Sequence, residues 1–268
     1  MNSPVLHFYD FGAGVTAFSS TRRGGCSQGN YAEFNANLYC GDDPLAVASN
    51  RESLCKELGI ATESLVLPHQ VHGTKVVVVD DLVALPVEER QRHLEGVDAV
   101  VTSVPGVCIG VSTADCIPIL LYDEEHRVAA AVHAGWRGTV ARILRAVLTC
   151  MREQFHTDAR RMRAAVGPGI SLQSFEVGDE VYDAFAREGF PMHELARRFP
   201  PMNSLESGQQ KWHIDLPRCN FLQLSDLGVP SEKIYLSNIC TYETSDLFFS
   251  ARRLTVNSGR ILTGILLK

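Results

Sequence analysis

Short apolar runs, bounded by glycine, proline and charged turns, recur along most of this chain. Runs of this kind predict strands, because a strand needs only about five or six residues whereas a helix usually needs more. The predicted strands are residues 65–67, 74–79, 98–102, 107–113, 162–166, 212–215, 234–239 and 260–267. The runs 234–239 and 260–267 are apolar enough to predict interior strands.

A smaller set of stretches carries helix signals. An aspartate N-cap, a first-turn proline and a glycine stop predict a helix over residues 44–58. Apolar residues recur at helical spacing from residue 140 to 151, which predicts a helix with one buried face. The other predicted helices are residues 176–188 and 216–227, whereas 81–95 and 189–210 have the composition of surface loops.

The central stretch, residues 110–139, reads GVSTADCIPILLYDEEHRVAAAVHAGWRGT. An apolar strand leads into Cys116, a charged turn follows, and a second apolar strand ends at His133. Strands of five to seven residues, roughly the common length, form a hairpin across such a turn, so Cys116 and His133 are predicted neighbours. The following AGWRGT predicts the start of a helix with free backbone N–H groups. This combination is what a metal-assisted or thiolate-based active site requires.

Two features near the hairpin have more than one interpretation. His69 and His72 lie in a predicted connection between strands, where an isolated H-x-x-H pattern by itself favours solvent-exposed side chains. Asp115 directly precedes Cys116. It either orients the site from a bulge or merely ends a strand, because consecutive strand residues point to opposite faces.

Composition indicates an ordinary soluble protein, with 45% hydrophobic and 21% charged residues. A formal net charge of −6 argues against nucleic-acid or anionic-membrane partners. The N-terminus lacks the pattern of a secretory signal, and no apolar run approaches the roughly 18 residues of a membrane span, so we expect a cytoplasmic protein. Eight scattered cysteines without a C-x-x-C pair predict reduced thiols. Without repeats or linkers, one domain over residues 1–268 is the simplest organisation.

A series of motifs resembles a known family. In order they are TRRGGCS, HQVHG, DAVVT, TADCIPILLYD, VHAGWRGT, GPGISLQSFEVGDEV, CTYET and FFSARR. This series is similar to that of the bacterial YfiH-like proteins, also called the laccase-domain or multicopper polyphenol oxidase family, from about Thr21 to the last strand. The resemblance implies an α+β fold, a single domain of mixed, largely antiparallel β-sheets with flanking helices.

The resemblance also implies a zinc site and an activity. Motif by motif, the metal ligands fall on His72, Cys116 and His133, and Cys116 and His133 count as catalytic residues. Family enzymes phosphorolyse adenosine, inosine and methylthioadenosine and deaminate adenosine. A thiolate and two imidazoles are sound zinc ligands, and a three-ligand site leaves room for an acidified water that can attack C6 of adenine.

Phosphorolysis requires a phosphate site, and the sequence offers two candidates. Arg22, on the arginine of the family's T-R-x-G-G segment, is a predicted catalytic and phosphate-binding residue, because its guanidinium can clamp phosphate in a fork. The helix N-terminus at Arg137, Gly138 and Thr139 is the other candidate, through its free N–H groups and dipole. The alternative for this turn is that Arg137 pairs with a carboxylate and the glycines only allow a tight bend.

Three rival functions are weighed against this one. A copper-dependent polyphenol oxidase, or laccase, also uses two histidines and a cysteine, but the H-x-H pairs of a trinuclear cluster are missing from the sequence. A peptidoglycan-editing amidase would use Cys116 as nucleophile and His133 as base. Nothing in the sequence favours a non-catalytic binding protein. The expected partners are purine nucleosides and inorganic phosphate, and both a monomer and a homodimer are consistent with the sequence.

Overall fold

The computed structural model describes residues 3–202 and 210–268. Fourteen strands and eight α-helices lie in these ranges. The strands are β1 Leu6–Tyr9, β2 Val15–Ser20, β3 Leu65–Val66, β4 Val76–Val78, β5 Ala99–Thr102, β6 Cys108–Thr113, β7 Ile117–Asp123, β8 Val128–Ala134, β9 Arg163–Val166, β10 Glu176–Val177, β11 Ala196–Phe199, β12 Lys211–Ile214, β13 Ile234–Leu236 and β14 Ile261–Leu267. The helices are α1 Pro44–Leu58, α2 Val87–His93, α3 Trp136–Val140, α4 Ile143–Phe155, α5 Asp179–Arg187, α6 Met192–Leu195, α7 Leu216–Asp226 and α8 Ala251–Leu254.

The strands form three sheets, in the orders β1-β2-β14-β6-β3, β13-β9-β7-β8-β5-β4 and β10-β12-β11. Three pairs are parallel, namely β3 with β6, β4 with β5 and β9 with β13, and the other pairs are antiparallel. This topology confirms the predicted α+β class with mixed, largely antiparallel sheets and flanking helices. That residues 1–268 form one domain stays a prediction.

The two larger sheets pack face to face, with helices outside them. On β7, Leu120 lies in the core between the sheets, while Ile119 and Leu121 lie in the core beneath α4 and α7. Both faces of β7 are therefore buried, which explains its continuous apolar sequence. The opposite face of the five-stranded sheet packs against Leu54 of α1 through Phe18. No helix in the described ranges is long and apolar enough to cross a membrane.

The signals that bracket the first predicted helix act as expected. The Asp43 side chain accepts a hydrogen bond from the backbone N–H of Leu45 at 3.0 Å. Gly59 closes α1 in the left-handed conformation, with φ +69°, which glycine adopts without a steric penalty. The predicted helix 44–58 is confirmed at both ends.

The helix predicted from residue 140 is interrupted. Arg142 adopts a left-handed φ of +61° and separates α3 from α4. Its guanidinium lies 3.8 Å from the centroid of the Phe190 ring and donates to the carbonyl of Glu188. These contacts hold an otherwise unfavourable backbone conformation, and they come from a segment that helical periodicity does not reveal.

Other expectations differ from the structure. The surface stretch 81–95 contains α2, and the stretch 189–210 contains α6 and β11, although residues 203–209 lie outside the described residues. Short turns between successive strands favour local antiparallel pairing, but β6 and β7 belong to different sheets and β4 runs parallel to β5. The run predicted as an interior strand from residue 234 forms β13 at a sheet edge, whereas β14 is interior.

Candidate active site

The β7–β8 hairpin brings Cys116 and His133 together. In its antiparallel register Pro118 lies opposite His133, and Ile117 lies opposite Ala134. Cys116 immediately precedes β7, so its thiol lies at the end of the hairpin beside the imidazole. The neighbourhood predicted from the hairpin is therefore observed.

His72 reaches the same place from the loop between β3 and β4. The backbone N–H groups of His72 and Gly73 donate to the carboxylate of Asp98 at 2.9 and 2.7 Å, and that of Val71 does so at 3.3 Å. His72 has a left-handed φ of +64°. Such a conformation is costly for a residue with a side chain, and the three hydrogen bonds to one carboxylate stabilise it.

Asp98 also holds His133. Its Oδ1 lies 2.7 Å from Nδ1 of His133, and the carboxylate is completely buried. When His133 is neutral and its proton lies on Nδ1, directed at Asp98, the Nε2 lone pair is available to a metal. One carboxylate thus positions two imidazole-bearing segments, as carboxylates behind metal-ligating histidines do.

The three candidate donors form a compact set. The donor atoms of His72, Cys116 and His133 all lie within 4.8 Å of one another. A tetrahedral zinc ion holds thiolate and imidazole donors about 3.5 Å apart, so this set needs little adjustment to bind one. Gly135 leaves the necessary space, because a Cβ atom there would lie 2.9 Å from Cδ2 of His72 and 3.0 Å from Sγ of Cys116.

The charges of this set are coupled. Burial opposes ionisation of the Cys116 thiol, but the imidazoles of His133 and His72 outweigh it and lower the pKa to about 6. Burial likewise disfavours the charged form of His133, yet Cys116 and Asp98 raise its pKa to about 9. The metal-free centre is thus a thiolate–imidazolium pair, and metal binding would release protons from it.

A cavity of about 280 Å³ opens over these donors. The rings of Tyr39 and His69 stack in its wall, with centroids 3.9 Å apart and an interplanar angle of 20°. Gln70 is fixed to the backbone of Ser112, donating to its carbonyl at 2.8 Å and accepting from its N–H at 2.7 Å. The remaining lining residues are Asn37, Cys40, His72, Thr113, Ala114, Cys116, His133, Ala251, Val256 and Arg260.

Arg22 lies away from this lining. Its Nε donates to the carbonyl of Ala32 and its Nη1 to that of Ser245, both at 2.7 Å. The guanidinium also lies 4.8 Å from the centroid of the Phe249 ring. These contacts tie three chain segments together, so the structure does not bring Arg22 to the donor set.

The residues of the predicted phosphate-binding turn also point elsewhere. Arg137 is exposed and lies over the ring of Trp136. The Thr139 hydroxyl is buried and accepts a hydrogen bond from Asn220 at 3.1 Å. At Gly138 a Cβ would lie 3.1 Å from the carbonyl oxygen of Gly73, so this glycine permits close packing of α3 on the His72 loop.

Asp115 does not act on the donor set. Its carboxylate accepts from the hydroxyl of Thr241 and the backbone N–H of Arg252, both at 2.7 Å. A φ of +84° turns this residue away from the path of a regular strand. The orienting carboxylate is instead Asp98, which sequence reasoning missed, although the DAVVT motif placed it at the start of a buried strand. Tyr39 and Arg260 were missed as well, because no local pattern marks them.

The site contains two imidazoles and a thiol, with a buried carboxylate behind them and a cavity in front. This arrangement is typical of proteins with a metal centre. The chain belongs to the family described as multi-copper polyphenol oxidoreductase laccase, whose sequence profile matches residues 16–268. This match confirms the family that the motifs indicated.

Individual relatives cover nearly the whole chain. The chain is 46% identical to a purine nucleoside phosphorylase of Bacteroides thetaiotaomicron over 94% of its length and 92% of the relative's. It is 44% identical to adenosine deaminase RL5, from an unknown prokaryotic organism, over 94% of each chain. Among solved structures, the YfiH protein of Bacillus licheniformis superimposes with a TM-score of 0.89 at 25% identity, covering 99% of this chain and 97% of that one.

Proposed function

We propose that this protein is a zinc-dependent enzyme of purine nucleosides, which phosphorolyses adenosine, inosine and methylthioadenosine and deaminates adenosine. The observation that carries the proposal is the donor set of His72, Cys116 and His133, held by Asp98 at the wall of a polar cavity. The names of the relatives at 46% and 44% identity support nucleoside chemistry of both kinds.

Zinc fits this donor set better than a hard cation does, because thiolate and imidazole are its usual ligands. His72, Cys116 and His133 would hold it, and Gly135 keeps a side chain out of the space it needs. The chemistry that zinc supplies when bound is acidification of water toward neutrality.

The residues around the donors have separate tasks in this proposal. Asp98 is a positioning residue, since it acts through His133 and the His72 loop. The stacked rings of Tyr39 and His69 offer a flat aromatic surface against which a purine base packs. Gln70 ties the loop that carries His69 and His72 to the backbone of Ser112 on β6.

Copper-dependent phenol oxidation is the activity that the family's description suggests. Such oxidases build a trinuclear cluster from many imidazoles. Within residues 3–202 and 210–268, His72, Cys116 and His133 are the one group of three or more side chains arranged to hold a metal. We therefore expect oxidation of phenols to be at most a weak side activity. Four-electron reduction of oxygen to water at substantial turnover would contradict this.

A cysteine-dependent amidase is the second candidate, and one observation favours it. Cys116, His133 and Asp98 form a thiol–imidazole–carboxylate series, with the thiol pKa lowered to about 6 by the imidazoles despite burial. This is the arrangement of an activated nucleophile with an oriented base. The two candidates respond oppositely to metal, since zinc on Cys116 would block the amidase and enable the nucleoside enzyme.

The deciding experiment compares zinc-loaded and metal-free protein on adenosine, with and without inorganic phosphate, with separation of the products. We expect zinc-loaded protein to yield adenine and ribose 1-phosphate only when phosphate is present, and to yield inosine under both conditions. Cys26→Ser, at an exposed thiol outside the cavity lining, is the matched control for Cys116→Ser. Cleavage of peptidoglycan amides by the metal-free protein, without nucleoside turnover by either form, would favour the amidase.

A further inference from the structure

We propose that Gln91 and Glu95 are positioning residues that hold the stacked rings of Tyr39 and His69, and that this stack sets the affinity of the cavity for the base of a nucleoside. The inference rests on the proposed function. It assigns a role to the stretch 81–95, which has the composition of a surface loop. Gln91 and Glu95 lie outside the cavity lining, so they act through the two rings.

The Tyr39 ring is held from outside its own segment. Tyr39 lies in residues 32–43, a stretch without a strand or helix. Its backbone N–H donates to Oδ1 of Asn37 at 2.7 Å, which orders the local turn. Its hydroxyl accepts a hydrogen bond from Nε2 of Gln91 at 2.7 Å. Because Gln91 belongs to α2, a helix fixes the far end of a ring that an irregular loop carries.

His69 is held by the chain that follows the same helix. Its Nδ1 lies 2.6 Å from Oε1 of Glu95. Its backbone N–H donates to the carbonyl of Leu94 at 3.0 Å, and its carbonyl accepts from the N–H of Val97 at 3.2 Å. These bonds restrict rotation of the imidazole. One short stretch of chain, from Gln91 to Glu95, therefore fixes both rings.

The stack offers free ring surface to a ligand. Tyr39 and His69 both line the cavity, and their ring centroids are 3.9 Å apart. Tyr39 is 42% exposed and the His69 side chain is 32% exposed, so ring surface remains after the rings have packed together. Stacking on an aromatic side chain strengthens binding of a base by roughly 5- to 150-fold. Rings that are already fixed lose less conformational freedom on binding, so both hydrogen bonds should raise the affinity.

The metal donors are supported separately. Asp98, and not Glu95, accepts from the N–H of His72 and lies on Nδ1 of His133. Substitution of Gln91 or Glu95 should therefore weaken binding of the base alone. Zinc binding, the KM for phosphate and kcat should not change, and this selectivity distinguishes a positioning role from a general effect on the fold.

The first test is steady-state phosphorolysis of adenosine by zinc-loaded protein. Gln91→Leu and Glu95→Gln should each raise the KM for adenosine about two- to tenfold, because each weakens one hydrogen bond. In both variants kcat, the KM for phosphate and the zinc content should match those of the controls. Gln154→Leu and Glu89→Gln, at exposed positions outside the cavity lining, are the matched controls.

A double-mutant cycle tests whether Gln91 acts through the ring of Tyr39. Tyr39→Phe keeps the ring but removes the same hydrogen bond as Gln91→Leu. The double variant should therefore raise the KM for adenosine no further than either single variant. Tyr39→Leu, which removes the ring itself, should raise it roughly 5- to 150-fold. Effects of Gln91→Leu and Tyr39→Phe that multiply would overturn the role of Gln91.

The second test is isothermal titration of adenine into the same zinc-loaded proteins. We expect the wild type to bind adenine, and Gln91→Leu and Glu95→Gln to bind it about two- to tenfold more weakly. This result without turnover of any nucleoside would support the stack, and only the proposed function would fail. Wild-type turnover of adenosine with a KM in both variants equal to that of the controls would overturn the positioning role and leave the function intact. No binding of adenine by the wild type, or a loss of zinc that accompanies the rise in KM, would overturn it too.

Discussion

Two carboxylates flank the candidate metal donors, and they serve different regions. Asp98 is completely buried, and its carboxylate accepts hydrogen bonds from the N–H groups of the His72 loop and from Nδ1 of His133. Asp115 is partly buried, and its carboxylate accepts hydrogen bonds from the Thr241 hydroxyl and the Arg252 N–H. Asp98 joins two donor segments to each other, whereas Asp115 joins the turn before Cys116 to the turn after β13 and to helix α8.

A carboxylate that is adjacent to a donor residue in sequence is therefore not necessarily the one that orients the donors. Asp115 is adjacent to Cys116, yet its left-handed backbone sends the carboxylate to the opposite side. Asp98 is remote in sequence, but β5 pairs with β8, and the backbone N–H of His133 donates to the carbonyl of Asp98 at 2.8 Å. Sheet pairing decides which carboxylate orients the imidazole.

Removal of all three donors is the largest change that tests this comparison. The triple variant His72→Ala, Cys116→Ala and His133→Ala should lose the single zinc ion that we expect in each chain, because no donor remains between the two carboxylates. Elemental analysis of the purified protein measures this, with Cys26→Ser as control. Zinc retained at the wild-type ratio would show that the ligands lie elsewhere.

Asp98→Asn should have the next largest effect. The amide cannot provide the charge that orients His133 and receives the N–H groups of His72 and Gly73, so zinc affinity should fall by about 10- to 100-fold. Competition with a chelator of known affinity measures the change. If Asp115→Asn weakens zinc binding equally, the two carboxylates do not differ in the way proposed.

The pH dependence of Cys116 alkylation also distinguishes the role of Asp98 from that of Asp115. With a pKa of about 6 in metal-free protein, the thiolate should predominate above pH 6 and disappear below it. The alkylation rate should therefore fall by about tenfold between pH 7 and pH 5, because only the thiolate reacts. Cys116→Ser measures the background from other cysteines. The midpoint should rise in Asp98→Asn, which loses the charge that stabilises imidazolium, and a midpoint that moves only in Asp115→Asn would contradict this.

The smallest effect is expected from Asp115→Asn on stability. The variant weakens two hydrogen bonds outside the donor set, so the free energy of unfolding should decrease by about 1 kcal/mol. Urea unfolding measures it, and zinc affinity in the same preparation should change by less than about twofold. A large loss of zinc with unchanged stability would assign Asp115 to the metal centre.

Local signals were sufficient for much of the fold and part of the site. Helix α1 was predictable from Asp43 and Gly59, because capping depends on residues next to one another. The hairpin that joins Cys116 to His133 was predictable because its turn is short and both strands are apolar. The family motifs placed His72 with them, although an isolated H-x-x-H pattern favoured exposure.

Only the tertiary structure decided which strands share a sheet and which side chains face the cavity. The sequence does not indicate that β6 and β7 separate into different sheets, because both strands are buried on both faces and either pairing would bury them. The partnership of Asp98 with His133 depends on the pairing of β5 with β8. Such pairings are selected by the burial of whole sheet faces, a property of the assembled core that no short stretch of sequence carries.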